Sequence, residues 1–339
     1  MKQLQFKIAL VAMLLSFAPK QSSAYDFEVD GIYYNVVSMS DLTCEVTHGN
    51  TLCFYSGRIT IPKQVTYSKR TFNVTRIGDR AFRDCSDLTS VTIPNSVIEI
   101  GEYAFWYCSG LTSLTIPNNV TRIGEGAFLN CSGLTSFTIP NTVTVVESDA
   151  FRMCANLKTL IIEDGSSTLK LGSTSYNYGY SGLFSDCPLS SVYLGRNIRY
   201  ENYRYPAFKG KKELTNLTIG ISVTSIENSD FSDCSALESI TSLATTAPSA
   251  SESTFSTAAY LNAMLYVPIG SLDSYKSATC WKNFLMEEKD VSGVEGVKAD
   301  DNLVEKARYS LDGKMLLAPE KGVNIVKMSD GTTKKIVVK

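Results

Sequence analysis

The sequence is poor in histidine, which many enzymes use for catalysis, and it lacks the common catalytic motifs. It contains one histidine, His48, in 339 residues, and it has no G-x-S-x-G, H-E-x-x-H or phosphate-binding glycine motif. These motifs identify serine hydrolases, zinc proteases and nucleotide-binding enzymes. The sequence therefore predicts a protein that is not an enzyme and that uses no metal or cofactor. Its acidic residues are scattered, so a hydrolase with an unrecognised pair of carboxylates stays as an alternative.

A strong excess of one charge is also missing. The chain has 32 Lys+Arg and 34 Asp+Glu, which gives a formal net charge of -2. Proteins that bind nucleic acid neutralise the phosphate backbone with many basic side chains. The charge balance therefore predicts that nucleic acid is not a partner.

Long hydrophobic runs are absent beyond the first residues. An apolar run of about eleven residues, from Ile8 to Ala18, follows Lys2 and Lys7 and precedes small residues that end at Ala24. A membrane-spanning helix needs about 20 such residues. We predict a signal peptide over residues 1–24, export to the cell exterior, and no transmembrane span after cleavage. A retained membrane anchor is the alternative.

Nine cysteines are present, but their spacing does not resemble a disulfide framework. Four of them recur every 23 residues, as Cys85, Cys108, Cys131 and Cys154. No C-x-x-C occurs and no histidine recurs, so this position is predicted to hold a small buried hydrophobic side chain and not a metal ligand. In the N-terminal segment, Cys44 and Cys53 are the candidates for a disulfide.

The cysteines belong to a repeated unit with the sequence I-G-x-x-A-F-x-x-C-S-x-L-T-S-x-T-I-P. Near copies run from Ile77 to Pro94, from Ile100 to Pro117 and from Ile123 to Pro140. A period of 20 to 29 residues with L-x-x-L-x-L spacing is typical of leucine-rich repeats. We therefore predict a solenoid of about eight coils, in which each coil buries the apolar face of its neighbours.

Each unit is predicted to contain one short strand. Val91 and Ile93 are two residues apart and face inward, and Pro94 ends the strand. The returning limb, with Ile77, Ala81 and Phe82, is predicted to be a short helical or turn segment. If the coils stack in register, Val91 is followed by Leu114 and Phe137 on adjacent parallel strands.

Two groups of residues are candidates for binding. The first is the outward row of strand positions, which forms a hydroxyl-lined face: Ser90, Thr92, Ser113, Thr115, Ser136 and Thr138, continued by Asn216 and Thr218. Serine and threonine are also ordinary residues on any exposed strand, so a face without a ligand is the alternative.

The second group lies in an irregular stretch from Arg196 to Pro206. It contains Arg196, Arg199, Tyr200, Tyr203, Arg204 and Tyr205. Exposed tyrosine and arginine are enriched where proteins are bound, and repeat proteins often carry binding residues on insertions. The alternative is a solvated loop that connects two coils. Another irregular stretch, from Ser166 to Gly182, is predicted to bulge from one coil.

The sequence divides into five parts. Residues 1–24 are the signal peptide, 25–73 an N-terminal cap with a first partial coil, and 74–286 the solenoid with a degenerate C-terminal cap. Residues 287–302 are charged and lack aromatics, which indicates a linker. Residues 303–339 return to short β-like runs, which predicts a small C-terminal β module or sorting tail.

The repeat unit resembles the BspA-like leucine-rich repeat family, and so do the opening Asp26 to Tyr34 and the ending Leu265 to Phe284. The resemblance implies a right-handed solenoid and a surface role in adhesion or ligand capture. The tail is similar to the C-terminal sorting signal of type IX secretion, through these residues: Tyr309, Leu311, Gly313, Lys314, Lys321, Gly322, Ile325, Val326, Lys335 and Val337. Asn324 stands where that signal usually has an aromatic residue.

Three functions follow. The first is a surface adhesin or host-interaction protein that recognises a protein or glycan at the cell surface. The second is a glycan-capturing protein of a nutrient pathway, although the chain has only two tryptophans, Trp106 and Trp281. The third is the hydrolase named above.

Overall fold

The computed structural model describes residues 24–50, 55–172, 183–200 and 206–291, and the backbone of four strands between Glu305 and Val338. The chain forms two compact units, Met1–Val297 and Lys298–Lys339. The strands are β1 (Phe27–Val29), β2 (Ile32–Ser38), β3 (Thr43–Thr47), β4 (Gly57–Thr60), β5 (Gln64–Tyr67), β6 (Arg70–Ile77), β7 (Leu88–Thr92), β8 (Glu99–Ile100), β9 (Arg122–Ile123), β10 (Ser136–Ile139), β11 (Val145–Val146), β12 (Thr159–Ile162), β13 (Leu169–Leu171), β14 (Ser191–Leu194), β15 (Ile198–Tyr200), β16 (Asn216–Ile219), β17 (Ser239–Ser242), β18 (Met264–Pro268), β19 (Leu285–Lys289), β20 (Glu305–Ser310), β21 (Met315–Leu316), β22 (Gly322–Met328) and β23 (Thr333–Val338). The helices are α1 (Thr257–Asn262), α2 (Leu272–Ser277) and a 3-10 turn (Trp281–Asn283).

The repeats stack into a parallel β-solenoid, which confirms the predicted fold class. Repeats contribute strands to two sheets and not to one. The first sheet contains the isoleucine of the I-G pair and runs in the order β1-β2-β3-β6-β8-β9-β11-β13-β15, with β5 paired to β6. Ile77, Ile100 and Ile123 are aligned on adjacent parallel strands. The limb that was predicted to be only helix or turn therefore begins with a second strand.

The second sheet contains the predicted strand of the repeat. It runs in the order β10-β12-β14-β16-β17-β18-β19, and β4 and β7 form a separate parallel pair. Phe137, Leu160 and Val192 are aligned on the inward side. Between β7 and β10 the segment from 111 to 116 has no strand, and Leu114 is only half-buried. The predicted alignment of Leu114 between two adjacent strands is therefore wrong.

The coil from 111 to 116 still closes the core without strand pairing. Leu111 and Ile116 are 0% and 4% exposed. Side-chain packing therefore holds this coil in the stack where ladder hydrogen bonds do not.

A column of phenylalanine rings runs through the solenoid. Successive centroids are 5.0 to 5.6 Å apart, and the rings are close to parallel. The eight rings belong to Phe82, Phe105, Phe128, Phe151, Phe184, Phe208, Phe231 and Phe255. Backbone hydrogen bonds join the same turns, for example from Phe105 N to Ala127 O at 2.8 Å. Backbone hydrogen bonds therefore join successive coils on the turn side as well as on the strand sides.

The repeated cysteines lie beside this column and are buried, as predicted. Their thiols also donate hydrogen bonds, which the sequence did not indicate. Cys108 Sγ donates to Phe82 O at 2.9 Å, and Cys131 Sγ donates to Phe105 O at 3.0 Å. The cysteine therefore satisfies a buried carbonyl of the preceding coil, a role that a simple hydrophobic side chain cannot fill.

Two caps close the solenoid. At the N-terminal end, β1, β2 and β3 form an antiparallel meander before β3 pairs in parallel with β6. At the C-terminal end, Trp281 is fully buried and its Nε1 donates to Pro248 O at 2.6 Å. Strand β19 continues the second sheet to Lys289, so the first residues of the predicted linker belong to the solenoid.

The C-terminal unit is an antiparallel sheet. Its described strands lie in the order β21-β20-β22-β23. A β-type tail is therefore present where the sequence placed one.

Candidate binding surfaces

The predicted hydroxyl face lies on the outward side of β7, β10 and β16. Thr92 and Asn216 are exposed, whereas Ser90, Ser136, Thr138 and Thr218 are half-buried. Ser113 and Thr115 are exposed but lie on the coil that has no strand. Most of these side chains do share one side of the stack, but they do not form an unbroken row of strand positions.

The centre of this face is covered by two larger side chains. Ile161 and Tyr193 are in register with Thr138 and are only 2% and 3% exposed. The Tyr193 hydroxyl donates to Asp164 Oδ2 at 2.6 Å, and burial raises the pKa of Tyr193. A Cβ atom on Gly220 would lie 2.7 Å from the backbone Cα atom of Gly195 and 2.4 Å from Asp164 Oδ1, so the packing of these coils requires glycine here. The middle of the face is therefore closely packed.

Arg196 is not part of an exposed loop, which corrects the prediction. Its side chain is fully buried, and its guanidinium donates to Asn141 O and Pro140 O at 2.8 Å each, and to Ser167 Oγ at 3.2 Å. Burial lowers the pKa of Arg196 to about 10. Because Arg196 follows β14 at the corner of a coil, its side chain turns inward and satisfies carbonyl groups of earlier coils.

Tyr200 is also buried, at 4% exposure, because residues 198–200 form β15 and alternate between inward and outward positions. Its hydroxyl donates to Asp230 Oδ1 and accepts from Ala207 N. Arg199 points outward beside Lys170 and is exposed. Tyr203, Arg204 and Tyr205 lie outside the described residues, as does much of the predicted bulge from Ser166 to Gly182. A solvated connecting loop is therefore also the wrong interpretation of residues 196–200.

Cys44 carries a free thiol among the described residues, and its predicted bridge to Cys53 stays a prediction. Cys44 lies on the inward side of β3, opposite Val36 and beside Val74, and it is fully buried. Burial raises the pKa of Cys44 to about 12. Cys53 itself lies outside the described residues.

The described residues show little that would suit catalysis. Among them, no group of three or more His, Cys, Asp or Glu side chains is placed to hold a metal ion. His48 is exposed, and its Nδ1 lies 2.8 Å from the carbonyl oxygen of Gly49. Within the same residues, no helix has the length and apolar character to cross a membrane.

An aromatic surface that sequence reasoning missed lies on the turn side of the coils. We call it the aromatic turn patch, and it consists of Arg80, Arg83, Tyr103, Trp106 and Tyr107, with Met153 at the position of Tyr107 two coils further on. The Trp106 ring lies 5.4 Å from the Tyr103 ring and 5.5 Å from the Tyr107 ring. The Arg83 guanidinium lies over Trp106, 4.1 Å from the ring centroid. Trp106 and Tyr107 fill the two unspecified positions of A-F-x-x-C, and comparing those positions between coils would have revealed the patch.

Solved structures of similar proteins exist. The chain is 22% identical to a leucine-rich repeat protein of T. pallidum, covering 62% of this chain and 90% of that one, with a TM-score of 0.46. It is 20% identical to a leucine-rich cell surface protein of Faecalibacterium prausnitzii, covering 78% and 94%, with a TM-score of 0.39. It is 31% identical to a leucine-rich repeat protein of Bacteroides capillosus, covering 41% and 97%, with a TM-score of 0.35. No curated protein matches the chain.

The family model gives a direct assignment. Six copies of the BspA type leucine rich repeat region match residues 52–181 and 179–274. These ranges contain the phenylalanine column, the repeated cysteines and most strands of both sheets, and they confirm the resemblance seen in the repeat unit. The chain belongs to the BspA-type leucine-rich repeat family.

Proposed function

We propose that this protein is a cell-surface binding protein of the adhesin or host-interaction type, which recognises a protein or glycan ligand without catalysing a reaction. One observation carries the proposal: buried positions repeat from coil to coil, whereas solvent-facing positions on the turn side differ. Phe105, Phe128 and Phe151 occupy one buried position, whereas Tyr107, Asn130 and Met153, two residues later in each coil, are exposed or half-buried. A scaffold that is constant inside and variable outside suits specific binding.

The proposed location is the outer cell surface. The leader pattern over residues 1–24 and the likeness of the C-terminal tail to a sorting signal support it. In intact cells that make the full chain, we expect added protease to digest the protein. Complete protection in intact cells, together with digestion after lysis, would contradict this location.

Binding is tested with the purified chain on a glycan array and on a panel of extracellular-matrix proteins. We expect the wild-type chain to bind at least one member. Thr92→Arg and Asn216→Arg place a long charged side chain on exposed positions of the hydroxyl face, and Ser225→Arg is the control on the other sheet side. A loss of about tenfold or more with the first two variants alone would place the ligand on that face.

The other outcomes separate the alternatives. Binding to glycans alone would favour the nutrient-capture function. Steady turnover of a polysaccharide or peptide that one carboxylate substitution abolishes would identify a hydrolase. A folded wild-type chain that binds no member of either panel would contradict the proposal.

A further inference from the structure

The aromatic turn patch contains residues whose backbone conformation is unfavourable for them. The position just before the repeated cysteine has a positive φ in successive coils. Its occupants are Asp84, Tyr107, Asn130, Met153, Asp186, Gly210 and Asp233, with φ between 57° and 71°. Glycine, asparagine and aspartate tolerate this left-handed conformation, whereas bulkier side chains are disfavoured there. Five of the seven coils therefore have a residue that suits the turn, and two do not.

Burial of the side chain does not offset the unfavourable backbone conformation of Tyr107 and Met153. The side chains of Tyr107 and Met153 are 44% and 39% exposed. Their backbone amides donate to Leu129 O and Ser185 O, the same inter-coil bond that Asn130 makes to Arg152 O. An asparagine would keep that bond with less strain, so stability alone does not explain tyrosine and methionine at these positions.

Other residues of the aromatic turn patch also have a strained backbone or an unsatisfied polar atom. Trp106 Nε1 is buried and has no hydrogen-bond partner among the described residues. The Tyr103 hydroxyl donates to Glu125 Oε1 at 2.6 Å, and the Arg80 guanidinium lies 5.8 Å from the Tyr103 ring centroid. Tyr103 and Arg80 also have positive φ, at 53° and 57°. Residues with a strained backbone are frequent at binding sites.

We propose that the aromatic turn patch is a docking surface for a polypeptide ligand that presents apolar side chains. This inference rests on the proposed binding function and assigns it a site away from the hydroxyl face. Tryptophan, tyrosine and arginine dominate the binding energy of protein interfaces, and methionine adapts its shape to apolar partners.

The local chemistry favours a polypeptide over a glycan or a polyanion. A sugar ring stacks on an open aromatic face, but the Arg83 guanidinium lies over Trp106 and the indole N–H is buried. A polyanion needs an excess of positive charge, whereas Arg83 is paired with Asp84 at 3.1 Å and exposed Arg80 lies next to exposed Glu102. The exposed apolar edges of Tyr107 and Met153 remain as the main contact area.

The first test separates binding from folding. Tyr107→Asn and Met153→Asn replace each strained residue by one that suits the turn, and Asp186→Asn is the control in the same column. We expect the midpoint of thermal unfolding to stay unchanged or to rise by about 1 to 3 °C. A clear fall in the midpoint would show that these side chains are structural and would overturn the proposal.

The second test supplies the ligand as a random peptide library displayed on phage. The library is selected on the immobilised wild-type chain in the presence of excess soluble Tyr107→Asn/Met153→Asn double variant, which removes peptides that bind elsewhere. We expect peptides rich in apolar residues to survive, to bind the Asp186→Asn control as well as wild type, and to bind the Trp106→Ala variant at least tenfold more weakly.

Selection that leaves no clone above background would overturn the docking surface. If the wild-type chain still binds a matrix protein or glycan on the panels, the proposed function stands and only this site fails. A panel glycan whose binding is abolished by Trp106→Ala would replace the polypeptide by a carbohydrate and would also overturn the proposal.

Discussion

The regular coils from Ile77 to Ile162 and the coils from Leu183 to Phe231 build one solenoid with different interiors. In the regular coils, the position before the stacked phenylalanine is alanine and the position three residues after it is cysteine. In the later coils, Asp230 takes the alanine position and Lys211 takes the cysteine position, and both are buried. We call this second region the polar coils.

Lys211 shows what the cysteine position requires. Its Nζ donates to Phe184 O and, at 3.5 Å, to Cys187 O. Phe184 O is the phenylalanine carbonyl of the preceding coil, and the equivalent carbonyl accepts from Cys108, Cys131, Cys154, Cys187 and Cys234. Burial lowers the pKa of Lys211, which opposes its charge, yet the hydrogen bonds are kept. The position therefore needs a donor that reaches the previous coil, and sulfur is one way to supply it.

The largest expected effect tests what the two regions share, which is the phenylalanine column. Phe128→Ala in the regular coils and Phe208→Ala in the polar coils each remove a fully buried ring that stacks on both sides. We expect each to lower the free energy of unfolding by about 3–5 kcal/mol, measured by urea denaturation. A loss under about 1 kcal/mol for Phe208→Ala alone would show that the polar coils are not held by the column.

The next effect concerns Asp230. Burial raises the pKa of this carboxyl to about 7, above the 3.8 of an exposed aspartate. The folded state therefore binds the Asp230 proton more tightly than the unfolded state does. The stabilisation that this proton gives the folded state is complete below about pH 4 and is lost as the pH rises to about 7. Asp230→Asn keeps an acceptor for the Tyr200 hydroxyl and removes the titration.

We expect the stability of wild type, relative to Asp230→Asn, to fall between pH 4 and pH 8 by at most about 4 kcal/mol. Denaturant unfolding at several pH values measures this difference, and Asp233→Asn on the exposed side of the next turn is the control. A constant difference across that range would contradict the raised pKa.

The smallest effect tests the donor requirement. Lys211→Met keeps most of the volume but removes the donor, whereas Lys211→Cys restores the residue of the regular coils. We expect the cysteine variant to be more stable than the methionine variant by about 1 kcal/mol, because Phe184 O keeps a partner. Equal stability, or a more stable methionine variant, would show that packing alone selects the residue here.

Much of this solenoid could be predicted from the sequence because its repeat is regular. The 23-residue spacing of the cysteines and phenylalanines determined which side chains face inward, since stacked coils bury the same position each time. The same spacing predicted the parallel strands, whereas the short β-like runs after residue 302 predicted the C-terminal β module. The alternate positions of each strand were predicted to face outward, and several residues of the hydroxyl face do so.

The tertiary structure decided the rest, at places where the spacing changes or where it carries no information. Phe184 follows Phe151 after 33 residues and not after 23. The places of Arg196 and Tyr200 in the repeat could therefore not be counted from the sequence, and only the folded chain showed that both are buried. Trp106 and Tyr107 occupy unspecified positions of the repeat, and their contacts depend on the neighbouring coils. A repeat determines the interior because each coil buries the same pattern, whereas the exterior is decided by which side chains the stack brings together.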